Sequence, residues 1–339
     1  MRKNYFECLL LILCVLIISS CTTWKPGKSG QRKLQQKTFV ILGASSGFGR
    51  GVAEQLGAYK ANVVIAARRT AVLQEIAEII NRAGGTALVV TADASNPEDV
   101  KRLSQAAIEK FGKVDVWINM AGIATVGKFW EVPPADQVRV IDVNMKGVIY
   151  GAYEAIAIFR KQGYGTLINM GSVESEVPVA YQAAYTASKA GVRNLGLALS
   201  QELRIDGHKK IKVVTIEPWA ADTPFWRHIG NYTGGAPSMI ALDPPDKIVN
   251  AVLRKSLRPK KEVPVGWKAH TMWGMHRMWP RLTERITGNV ANRYQIKFGP
   301  PVADTVGAIY QPMQTGTGID DGAKERTKAH KKIKRNKEQ

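Results

Sequence analysis

From residue 38 onward, short apolar runs alternate with longer amphipathic stretches, and no other feature restricts the possible folds so tightly. Val63-Val64-Ile65 and Val213-Val214-Thr215-Ile216 are apolar at nearly every position rather than every second one, as strands covered on both faces of a parallel sheet must be. The pattern predicts strands at 38–42, 62–67, 86–92, 114–119, 165–170, 211–217 and 262–265. It predicts helices at 49–59, 70–83, 97–111, 135–160 and 183–206. Repeated βα units of this kind imply an α/β fold, a doubly wound parallel sheet of about seven strands with helices on both sides, forming one domain over 38–267.

The first βα turn is Gly43-Ala44-Ser45-Ser46-Gly47-Phe48-Gly49, between an apolar strand and a helix. Its glycines permit a tight turn and close backbone approach to a pyrophosphate, and the helix N-terminus offers free N–H groups to the anion. In this context the turn predicts dinucleotide binding. The second strand ends Ala66-Ala67-Arg68-Arg69, without the carboxylate that would accept hydrogen bonds from an NAD ribose. A guanidinium pairs instead with a 2′-phosphate, so NADP(H) is expected over NAD(H), with Arg68 as the contact. Asp93, followed by Ala94 beyond the third strand, is placed to meet the adenine, or else to cap the next helix.

Tyr185 and Lys189 are four residues apart in a predicted helix and so share a face. An ammonium beside a phenol favours the phenolate and brings tyrosine towards useful acid–base chemistry. Taken with Asn119-Met120-Ala121-Gly122, Asn144, Ser172, Pro218 and Thr223 in order along the chain, the pattern resembles the short-chain dehydrogenase/reductase family over about two-thirds of the length, residues 37–267.

That resemblance implies a catalytic set. Tyr185 donates a proton to a carbonyl oxygen or takes one from an alcohol, Ser172 hydrogen-bonds the same oxygen, Lys189 tunes Tyr185 and binds the nicotinamide ribose, and Asn144 holds a water that links Lys189 to solvent. It also implies cofactor contacts at Gly43, Ser45, Ser46, Gly47, Phe48, Gly49, Arg68, Asp93, Ala94, Asn119, Ala121, Gly122, Tyr185, Lys189, Pro218 and Thr223, a small-molecule carbonyl or alcohol substrate, and a homo-oligomer. Two positions depart from the family pattern: Met120 stands where an asparagine is usual, and Trp219 follows Pro218 where glycine is usual. Glu174 and Glu176 are expected to face solvent, with contact to a polar substrate as the alternative. Phe225, Trp226, Ile229, Tyr232, Met239, Ile240 and Leu242 offer an apolar substrate lining or core packing.

Outside this domain, residues 1–21 have the basic, apolar and small-residue parts of a secretion signal. Ile18-Ser19-Ser20-Cys21 resembles the lipobox of bacterial lipoproteins; an uncleaved anchor and an ordinary cleaved signal are the alternatives, and each directs the chain to a membrane. Cys8, Cys14 and Cys21 are the only cysteines, so the body has no thiol for a disulfide or a nucleophile. Residues 22–37 are expected to be a basic tether. Residues 268–322 are expected to form an extension, whose Trp- and Met-rich part to residue 298 packs across the cleft or against a second subunit, or else lies on a membrane, and whose Gly- and Pro-rich part 299–322 is an irregular arm; residues 323–339 are expected to form a basic tail.

The net charge of +20 is gathered largely at these ends. It supports solvated termini rather than a nucleic-acid surface, so no nucleic-acid partner is expected. His270 and His276 lack companion ligands, and no metal is expected. The competing reading of the whole chain is a nucleotide-binding sensor or scaffold without turnover. The complete set Asn144, Ser172, Tyr185 and Lys189 argues against it, because a scaffold has no chemical need for all four.

Overall fold

A computed structural model describes residues 26–239, 241–297, 299–326 and 329. Its centre is a seven-stranded, wholly parallel sheet built from β1 (Thr38–Leu42), β2 (Asn62–Ala67), β3 (Thr86–Thr91), β4 (Val116–Asn119), β6 (Gly165–Met170), β7 (Ile211–Pro218) and β9 (Glu262–Val265), in the spatial order β3-β2-β1-β4-β6-β7-β9. A small parallel pair, β5 (Thr125–Val126) and β8 (Gly230–Asn231), lies apart from it. The predicted strands are present within two residues at each end.

Alternate residues of each strand feed two cores. Phe39 and Ile41 of β1 and Val63 and Ile65 of β2 pack on one face, against the helix α2 (Gly47–Ala58), α3 (Thr70–Arg82) and α9 (Pro245–Leu257). Val40, Leu42, Val64 and Ala66 pack on the other, against α4 (Pro97–Phe111) and α6 (Gly147–Gln162). Both faces are covered, which is why the strands lack polar alternation. α4 shows its boundaries in the sequence: the Asn96 side chain accepts from Glu98 N, Pro97 opens the first turn, and Gly112 closes the helix in the left-handed region at φ 70°.

Two expectations need correction. The single helix predicted at 135–160 is α5 (Pro134–Ile141) and α6 joined through a π-helical stretch, Asp142–Lys146, in which Gly147 N bonds Asp142 O. The tether is partly ordered: α1 (Lys28–Gln35) buries Leu34 against the first core. One apolar anchor residue is enough to dock a helix that is otherwise polar and basic. The signal or anchor segment at 1–21 and most of the basic tail lie outside the described residues. No helix among the described residues is long and apolar enough to cross a membrane.

The order of strands reverses on either side of β1, whose neighbours are β2 and β4. A crevice opens at such a switch point beyond the carboxyl ends of the strands. Here α10 (Gly266–Met278) and α11 (Pro280–Ala291) cover its inner end through Met272, Ile286, Thr287, Val290 and Ala291, so the extension packs as a cap.

Candidate active site

The cleft at the switch point has a volume of about 370 Å³. Its outer end is the glycine turn. Gly43 has φ 106°, and a Cβ there would lie 2.4 Å from Ala121 N; a Cβ on Gly49 would lie 2.0 Å from Gly43 O. The turn therefore closes onto β4 and onto itself only without side chains. Gly47, at φ 55°, sits under Thr223 and starts α2. Ser45, Ser46 and Phe48 complete this end, with Arg68, Asp93, Ala94, Ala121 and Gly122 beyond. The cradle fits a dinucleotide, because bare backbone and a helix N-terminus line the cleft there, although Gly47 N is bonded to Gly318 O at 2.9 Å.

Ser172, Tyr185, Lys189 and Pro218 line the inner end of the same cleft. Ser172 follows β6; its main-chain N–H is held by Ser175 Oγ at 3.1 Å, and its hydroxyl accepts from Glu174 N at 3.2 Å. Tyr185 and Lys189 lie on α7 (Ala183–Ile205), with the Lys189 ammonium 5.5 Å from the Tyr185 ring centre. The ammonium donates to Met170 O at 2.8 Å, at the end of β6. Burial pushes Lys189 down to about 8, opposed by the charge of Glu174. Burial raises Tyr185 well above its ordinary value, Glu174 adds to this, and Ser172 opposes it. In the chain itself, burial outweighs the expected depression of Tyr185, and its phenol is held protonated.

Two expected contacts point elsewhere. The Asn119 side chain is buried away from the cleft, accepting from Trp117 Nε1 at 2.8 Å and donating to Asn169 Oδ1 at 2.9 Å. The amide lies with Trp117 on the face of β4 that α6 covers, where Gly151 has no side chain to displace it. The Asn144 amide is committed to Ile123 N and Ile123 O, both at 2.9 Å, and to Ser188 Oγ at 3.0 Å. Its side chain braces the loop after β4 rather than offering a free site for water. Asp93 does line the cleft, but its carboxylate is occupied by Ser95 and by Arg139 at 2.8 Å.

Three groups escaped the sequence. Arg69 is buried and clamps the glycine turn, donating from Nε and Nη2 to Ser45 Oγ and from Nη2 to Ser45 O. Arg139 reaches Asp93 from α5, a partner too distant in sequence for any local pattern to reveal. Glu174, expected in solvent, lines the cleft and accepts from Thr186 Oγ1 at 2.7 Å. Burial pushes its carboxyl up to about 7, against the pull of Thr186 and Lys189. Glu176 is not free in solvent either; it pairs with Arg193 at 3.2 Å and Arg277 at 2.7 Å, tying α10 to the body.

Around the catalytic end the walls are apolar. Trp219 packs with Val173, Val177 and Met272, and Phe225 stands 5.7 Å from the Tyr185 ring. Trp226, Met239, Ile286 and Val290 extend this lining. Tyr232 is directed instead to Asp136, and Ile240 lies outside the described residues.

The family profile described as short chain dehydrogenase matches residues 37–232. An uncharacterized oxidoreductase, YxnA, of Bacillus subtilis (strain 168) is 31% identical over 293 residues, covering 86% of this chain and 81% of the relative. The 3beta-hydroxysteroid dehydrogenase 1 of Eggerthella lenta is 40% identical over 194 residues, covering 56% of this chain and 73% of the relative. Among solved structures, the 3-ketoacyl-(acyl-carrier-protein) reductase of Brucella melitensis complexed with NADH superposes with a TM-score of 0.60 at 32% identity, covering 68% and 97% of the two chains. The alcohol dehydrogenase of Thermococcus sibiricus complexed with 5-hydroxy-NADP superposes with a TM-score of 0.57 at 28% identity, covering 68% and 94%.

Proposed function

The chain belongs to the short-chain dehydrogenase family and is an oxidoreductase of that family, and on that premise we propose that it reduces a bulky hydrophobic ketone, or oxidises the matching secondary alcohol, with NADP(H). The observation that carries this reading is the meeting of Tyr185, Ser172 and Lys189 at one end of a cleft whose other end is a glycine cradle. The nicotinamide supplies or accepts the hydride. Tyr185, protonated at neutral pH, gives its proton to the oxygen as charge develops there, and Ser172 holds that oxygen in place. Lys189, anchored on Met170 O, keeps a positive charge beside the phenol and reaches the ribose side of the cleft.

Trp219, Phe225, Trp226 and Met272 support an apolar substrate of several rings or a long chain, because a small polar ketone would leave that surface wet. The likeness to a hydroxysteroid dehydrogenase supports the same size class. Arg68 and the absence of an acid at Ala67 support NADP(H) over NAD(H). The apolar run before Cys21 supports membrane attachment through residues 1–21.

The test is purified protein supplied with NADPH and a panel of steroidal, aromatic and long-chain ketones, with cofactor oxidation followed by absorbance. Turnover that favours bulky apolar ketones supports the proposal. Tight NADPH binding with no turnover on any ketone would replace it with the scaffold reading.

A further inference from the structure

Residues 299–322 cross the outer end of the cleft as a strap, and main-chain carbonyls of this strap take donors of the glycine turn and of the arginines around it. Gly318 O accepts from Gly47 N at 2.9 Å, at the start of α2. Ala308 O and Tyr310 O accept from Arg68 Nη2 and Nη1 at 2.9 and 2.7 Å. Met313 O accepts from Arg69 Nη1 at 3.1 Å, and Thr317 O from Arg50 Nη1 at 3.1 Å. The strap is pinned within this stretch and beyond its C-terminal end. Ile309 is fully buried, the Asp222 carboxylate accepts from Ala323 N and Lys324 N, and Arg227 pairs with Asp321 at 3.0 Å. Between and beside these anchors lie Gly307, Gly316 and Gly322, all with φ between 55° and 68°, positions where the backbone turns without a Cβ penalty.

We propose that this strap is a built-in competitor for the cofactor phosphates, and that it sets both the affinity for the dinucleotide and the balance between NADP(H) and NAD(H). The reasoning rests on the reading of Arg68 as the 2′-phosphate contact. A neutral carbonyl is a weaker partner for a guanidinium than a phosphate, so a phosphate exchanges with it at a net gain, and the gain is smaller than it would be with the donor free. Both cofactors carry the pyrophosphate and meet Gly318 at Gly47. NADP(H) alone must also take Arg68 from Ala308 and Tyr310. Loosening the strap therefore strengthens both cofactors, and NADP(H) by the larger factor.

The experiment is fluorescence titration of NADPH and NADH into the full chain, into Asp321→Ala, which removes the anchor on Arg227 without altering a residue of the glycine turn, and into a chain ending at Lys297. The expected result is a Kd for NADPH at least tenfold lower in the shortened chain, a Kd for NADH lowered by a smaller factor, and an intermediate change in Asp321→Ala. Unchanged or weaker NADPH binding in both variants overturns the proposal, since the strap would then be passive or a clamp. Should the shortened chain not fold, hydrogen exchange on the full chain decides. The Ala308 amide, held by His228 O at 2.8 Å, exchanges faster when NADPH is added if the strap is displaced; slower or unchanged exchange overturns the proposal. Arg68→Ala separates this from the cofactor reading. If it leaves NADPH affinity intact, the assignment of Arg68 fails, whereas the contest at Gly47 is still read by NADH.

Discussion

The Lys189 ammonium stands 5.5 Å from the centre of the Tyr185 ring and is held there by the Met170 carbonyl at 2.8 Å, not by the phenol itself. β6 thus positions the charge, and α7 carries both it and Tyr185. Tyr185→Phe removes the proton and leaves the cleft's shape, so turnover is expected to fall by about 10²–10⁴-fold. NADPH affinity, measured by titration, should stay within about twofold of the parent because no phosphate contact is touched. Retained turnover would refute the assignment of Tyr185.

The pH dependence of reduction follows from Lys189. Its folded pKa lies near 8, below the ordinary lysine value, so the positive charge beside Tyr185 is present at pH 7 and lost as pH rises through about 8. The kcat/KM for ketone reduction is expected to be flat below that point and to fall above it. A profile level to pH 10 would mean that Lys189 is not required in its charged form.

Glu174 makes the opposite kind of contribution to stability. Its folded pKa, about 7, is raised above the unfolded value, so stability from its protonated form is fully present below about pH 4.5 and lost as pH rises through 7. Glu174→Gln keeps a partner for Thr186 and carries no charge. It is expected to raise the melting temperature at pH 8 by an amount equivalent to on the order of 1 kcal/mol and to bring little gain at pH 5. Equal shifts at both pH values would show that ionisation is not the cause.

Gly49→Ala places a methyl carbon 2.0 Å from Gly43 O if nothing moves. The turn must open, and both stability and cofactor affinity are expected to drop, with a loss of roughly 1–3 kcal/mol in denaturant unfolding. Gly274→Ala has open space around its new Cβ and serves as the contrast. It should cost nothing measurable, since alanine favours the interior of α10.

The substrate-side expectation is read from Trp219 and Met272. Replacing Met272 with Ala opens the wall that it forms with Trp219, Val173 and Val177 without touching a polar group. KM for bulky apolar ketones is expected to rise several-fold, with kcat within about twofold, as for the loss of uniform binding. An unchanged KM across the ketone panel would place the substrate elsewhere in the cleft.

Much of this was legible before any coordinates. The central strands of the large sheet were visible as apolar runs, because strands covered on both faces must be apolar at successive positions. The glycine turn was visible because its geometry excludes side chains. Tyr185, Lys189 and Ser172 were found by spacing and family resemblance, and the structure brings them to one cleft. Asn119 and Asn144 came from the same resemblance, yet their side chains are used within the scaffold. A motif records that a residue type occurs at a place and not which of its atoms are already bonded. Glu174 was misplaced for a related reason: charge alone suggests solvent, whereas its location four residues past β6, beside Thr186 of α7, turns it into the cleft.

By itself, then, the sequence determined the layered α/β architecture, the glycine turn and the placing of Tyr185 and Lys189 on one helix face, since each depends on contacts local in the chain: strand burial, a turn without side chains, one turn of helix. Only the tertiary structure decided what those parts face. Arg68 and Ala308 are 240 residues apart, and nothing in either neighbourhood announces their hydrogen bond. The strap over the cofactor cradle, the clamp of Arg69 on Ser45 and the seating of α10 and α11 over the substrate end are settled by long-range packing, where the partner of a polar group is chosen by the fold and not by its neighbours in the chain.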